Sequence, residues 1–197
     1  MKYELVKQGI ELEVEKFSPL YVSMDFLTEN EIISNTNEVD YSQLQVSNMG
    51  THIKLINDSK IVADWTSIQI FSENIDFIIN VFEALKTKFK QIKIKEITFS
   101  YTIHLSDIDI LKTFNNKLIK IEDFELKHIV MSLDNFMIGF HECQKDRLHL
   151  NATKYEKFDN LSISEITADL KSVQNSIFEL ISNFLEKKLK INGISIQ

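Results

Sequence analysis

The chain has 197 residues, a formal charge of −7, and 44% hydrophobic against 26% charged residues. That is the balance of a globular protein long enough to bury roughly 70% of its unfolded surface. No apolar run nears the ~20 residues a membrane span needs, Met1–Val14 lacks a signal-peptide pattern, and Cys143 is the single cysteine, so the expected setting is cytoplasmic, without disulfides and without membrane contact.

Arg147 is the only arginine, which argues against nucleic-acid binding, because arginine carries most bidentate contacts to guanine and much phosphate clamping. Four glycines and one proline leave no phosphate-binding loop and no dinucleotide fingerprint, so the common nucleotide-dependent enzymes are disfavoured. The net acidity serves solubility.

Lys2–Glu15 reads as an opening strand, since Leu12 and Val14 alternate with Glu11, Glu13 and Glu15. After Pro19 a second strand is expected, with Leu20, Val22, Met24 and Phe26 on its apolar face. The polar stretch 28–48 reads as a surface connection holding a short helix near Glu29–Ile33. His52–Ile56 and Lys60–Trp65 then form a hairpin around Asn57–Ser59. Apolar residues on both of its faces predict burial from two sides, and a phase slip between Trp65 and Ile68 predicts a bulge. Trp65 is expected in core or interface packing.

The strongest signal is a helix followed by a strand. Ile75, Ile78, Phe82, Leu85 and Phe89 recur at steps of three and four, widened by Ile79, behind Ser72 as N-cap. From Ile97 to Leu105 the period becomes two, and Ile92 and Ile94 lie out of phase, which places a bulge near Lys95 and Glu96. Ser106 and Asp109 open a short helix ending at Asn115 and Asn116. Asp107 and Asp109 are read as helix-cap carboxylates rather than catalytic groups near His104.

A similar unit closes the chain. Leu170, Val173, Ile177, Leu180 and Phe184 repeat the first stripe 95 positions on, behind a Ser162–Glu165 capping box. Leu189, Ile191, Ile194 and Ile196 repeat the strand. The expected fold is therefore α+β: antiparallel sheet with two long amphipathic helices, from a tandem duplication of a β-hairpin–helix–strand unit. It is expected as one compact domain of two similar halves, about 1–116 and 117–197.

Between the two units, residues 125–155 read as three antiparallel strands. The turn at Asp134 and Asn135 pairs Leu133 with Phe136, and the same register pairs Met131 with Ile138, Ile129 with Phe140, and Lys127 with Glu142. An odd-length loop, Gln144–Asp146, pairs Phe140 with Leu150 and keeps both apolar faces together. His128 then lies opposite His141, and His141 opposite His149, with Cys143 two residues away and Gly139 leaving space. Histidines on neighbouring strands can hold zinc, so His128, His141 and His149 are the candidate metal ligands.

The expected function is a non-catalytic binding or interaction protein that self-associates or acts through a protein partner. One alternative is a small-ligand cavity between helix and sheet lined by some of the 14 phenylalanines. The other is a metal-dependent hydrolase using the histidine row.

Overall fold

In the computed structural model, residues 2–15, 17–106, 128–144 and 147–188 are described. The fold is α+β: antiparallel strands carry a few helices, and no described helix is long and apolar enough to cross a membrane. The chain forms two compact units, each built from separated segments.

The larger unit holds residues 7–99 and 155–168. Its strand order is β2 (Gln45–Ser47), β3 (Gly50–Lys54), β4 (Lys60–Asp64), β5 (Ser67–Ser72), β1 (Lys2–Glu15), β6 (Lys93–Ser106) and β9 (Arg147–Ser162). The opening strand has the bounds expected from sequence, and Ile10, Leu12 and Val14 are buried along one side.

The second strand expected after Pro19 is a helix, α1 (Met24–Glu29). Ser23 accepts a hydrogen bond from the Phe26 backbone N–H, the cap that starts a helix, and the neighbours Phe26 and Leu27 are both buried. Adjacent residues cannot share one face of a strand. The helix anticipated at Glu29–Ile33 thus lies earlier.

The hairpin β3–β4 is present in the expected place, with Asp58 in the left-handed region (φ 63°) at its turn. Its burial is one-sided, however: Ile53, Leu55, Ile61 and Ala63 are buried, while Ile56 is exposed. In place of a bulge after Trp65 the chain turns again. Asp64 accepts hydrogen bonds from the Thr66 and Ser67 backbone N–H groups, and β5 pairs back on β4. Trp65 occupies that turn, half exposed, with Nε1 donating to the Asn48 carbonyl at 2.8 Å.

Helix α2 (Ile75–Lys88) packs against β5. Its cap is Asn74, whose side chain accepts from the Asp76 backbone N–H; Ser72 is the last residue of β5. Phe77, Ile78, Val81, Phe82, Ala84 and Leu85 are buried, so the stripe widens on the Phe77–Val81–Ala84 side and not towards Ile79. Along β6, Ile94 and Ile97 are both buried although three residues apart. A pleat of period two needs a slip at Lys95–Glu96 to do this, as the sequence indicates.

The smaller unit holds residues 1–6, 100–154 and 169–197. Its strand order is β1, β6, β9, β8 (Phe136–Gln144) and β7 (His128–Leu133). Helix α3 (Leu170–Asn183), continued by a π-helical turn at Phe184–Lys188, has the length of α2 and starts and ends 95 positions after it. Its cap is Asp169. Glu165 does accept from the Ser162 backbone N–H, but that contact closes a single 3-10 turn, Ile163–Glu165, ahead of the helix.

Leu170, Ile177, Ile181 and Leu185 are buried, and Leu180, a member of the sequence stripe, is exposed. Tyr101 and Phe178 meet edge to face at 5.4 Å, and Phe140 lies 5.9 Å from Phe184. Those contacts define the sheet face that α3 covers. The anticipated helix at 106–116, with Asp107 and Asp109, and the strand at 189–196 lie outside the described residues, as does Lys127.

Candidate functional site

Strands β7, β8 and β9 pair in the register expected from sequence. Leu133 opposes Phe136, Met131 opposes Ile138, Ile129 opposes Phe140, and Phe140 opposes Leu150. The loop differs in detail: Gln144 pairs with Arg147, and the odd residue is absorbed by a bulge between Glu142 and Gln144. The parity is the same by either route, because one extra residue on one strand restores the alternation. His128 therefore opposes His141 and His141 opposes His149.

Phe140, Leu150 and Tyr101 share the face that α3 covers, so alternation sends His141, His149 and His104 to the opposite face. His104, on β6, is an addition to the row. Its ring stacks on His149 at 4.0 Å between centroids with 27° between planes, and His149 meets His141 edge to face at 4.7 Å. Four of the chain's five histidines thus lie on four adjacent strands, β6, β9, β8 and β7.

Thr102 donates to the Asn151 side-chain oxygen at 2.8 Å, and the Asn151 amide nitrogen lies 3.3 Å from His141 Nδ1. Burial, then the nearby His104 and His141, holds the His149 pKa below the usual imidazole value, which favours its neutral, ligating form. His104 Nε2 is shut off from solvent and has no hydrogen-bond partner among the described residues. An orphaned buried nitrogen of this kind costs about 1–3 kcal/mol.

Two imidazoles on one tetrahedral zinc have ring centres ~5 Å apart, with both rings aimed at the ion. The His141–His149 spacing is near that value. The stacked His104–His149 pair is too close and too parallel, and one of its rings must turn before both can bind the same ion. Among the described side chains, which do not include those of His128 and Cys143, no three His, Cys, Asp or Glu groups are placed to hold a metal.

No family model matches the sequence, and no curated protein does. Among solved structures the chain is similar to Methanococcus jannaschii TBP, with 12% identity over 92% of this chain and 98% of that one and a TM-score of 0.38.

Proposed function

We propose that the protein is a non-catalytic, cytoplasmic binding protein that pairs with a second copy of itself along strand β2. The observation that supports this reading is the exposure of β2 and its surroundings. It stands last in the strand order, its three residues are all exposed, and Val46, Met49 and Trp65 are 59%, 78% and 51% exposed. An edge strand offers unpaired backbone N–H and C=O groups, and an apolar border gives a pairing partner something to bury. Two β2 strands meeting antiparallel about a twofold axis would each supply the same patch.

Light scattering after size exclusion tests this. The wild type should elute as a dimer, and Val46→Lys should give a monomer whose melting temperature matches that of wild type diluted until it is monomeric, because Val46 is 59% exposed and contributes little to the chain's own core. A wild type that stays monomeric at high concentration removes the self-pairing reading.

A second reading, favoured by the 4.7 Å spacing of the His141 and His149 rings and by the lowered pKa of His149, is that the histidine row binds zinc through His128, His141 and His149. Imidazole must be neutral to ligate, so binding should weaken below about pH 6.5. Zinc should raise the melting temperature of the wild type, and His141→Ala should abolish the rise. Equal behaviour with and without zinc leaves a stack of histidines with no ion to hold.

A further inference from the structure

The larger unit carries a second arrangement that neither reading uses. Phe71 on β5 pairs with Gly9 on β1 and with Lys60 on β4, on the face opposite the buried Ile68 and Ile70. The Phe71 ring leans over Gly9 so closely that a Cβ there would lie 2.2 Å from Cδ1. Only glycine leaves room for the ring. Lys7 Nζ sits 3.9 Å from the centre of the ring, and Lys60 Nζ sits 5.0 Å from it.

Both lysines are half-buried, and no carboxylate among the described residues lies within ion-pair distance of either. The next residue in the same cross-strand row, Lys54, is unlike them, because Asp58 holds its ammonium at 2.7 Å. Burial, and then the charge of Lys60, lowers the Lys7 pKa, so the two head groups sense each other directly. An ammonium has three donors and no acceptor, so neither lysine can satisfy the other. The negative face of the Phe71 ring offsets part of their repulsion. A doubly charged acceptor would remove the rest.

We propose that Lys7 and Lys60, gathered against Phe71 above Gly9, form a binding site for a phosphate dianion, either inorganic phosphate or the monoester group of a small molecule. One oxygen accepts a charge-assisted hydrogen bond from each ammonium, and two negative charges meet two positive ones. Phe71 positions both lysine stems and has no part in the hydrogen bonding.

The test uses the full chain at constant ionic strength, following the Gly9 amide resonance during titration with inorganic phosphate and, separately, phenyl phosphate. Saturable movement of the Gly9 signal is expected. Lys7→Gln and Lys60→Gln, each made singly, should weaken binding by about tenfold or more, and Lys54→Gln should leave it unchanged. Tighter binding of phenyl phosphate assigns a monoester ligand, and equal binding assigns the free ion. Two results overturn the proposal: a Gly9 signal that moves no more with phosphate than with chloride, or an equal loss of binding in Lys54→Gln, which would mark general charge attraction. Whichever glutamine variant folds is sufficient to decide.

Discussion

Residues 180 and 181 of helix α3 separate what periodicity suggests from what packing selects. The helical stripe read from sequence contains Leu180, yet Ile181 is fully buried and Leu180 is 39% exposed. Truncating either to alanine removes the same number of carbon atoms, so the difference in cost reports environment alone. For Ile181→Ala the lost transfer energy, about 0.8 kcal/mol per methylene, adds to the cavity left under the helix, giving about 2–5 kcal/mol. At Leu180 much of the side chain is already in water and solvent fills the gap, so the cost is about 1 kcal/mol. Urea unfolding followed by circular dichroism measures both. With a slope of about 2–3 kcal/mol per molar, Ile181→Ala should lower the midpoint by about 1 M or more, and Leu180→Ala by less than half of that. If Leu180→Ala were the costlier change, the helix would present its sequence stripe to the core, and the packing described for α3 would be wrong.

In the larger unit, Phe82→Ala should cost about 3–5 kcal/mol in the same assay, since Phe82 is fully buried in the middle of α2. The His149 pKa is depressed, so the folded state resists a proton that the unfolded chain accepts near pH 6.5. Stability should therefore be complete above that pH and fall below it, and His149→Gln should flatten the melting temperature measured between about pH 7.5 and 5.5. Burial alone would raise the Asp64 pKa, but hydrogen bonds from Thr66 and Ser67 outweigh it and hold the carboxylate below its usual range. Its contribution is present above about pH 4 and lost as the pH falls further, so Asp64→Asn should show a smaller loss of stability in acid than the wild type.

How much of this was legible in the sequence depends on how far apart in the chain the interacting residues lie. The three-strand register holding His128, His141 and His149 is local: short turns join the strands, and a one-residue slip would turn every apolar side chain outward. The opening strand and both long helices carry their own period, so each was visible without knowledge of a neighbour. The segment after Pro19 misled because Leu20, Val22, Met24 and Phe26 alternate as a strand does, while the Ser23 cap that starts α1 is a contact over three residues.

The tertiary structure alone placed His104 against His149, because β6 and β9 are neighbours with no short turn between them to transmit a register. It also rotated α3 to bury Ile181 in place of Leu180, left β2 at the end of the strand order, and gathered Lys7, Phe71 and Lys60 from three strands. Periodicity orients a side chain about the axis of its own element. What stands across from it is set by how that element packs, and packing energy belongs to pairs of surfaces that no single stretch of sequence contains.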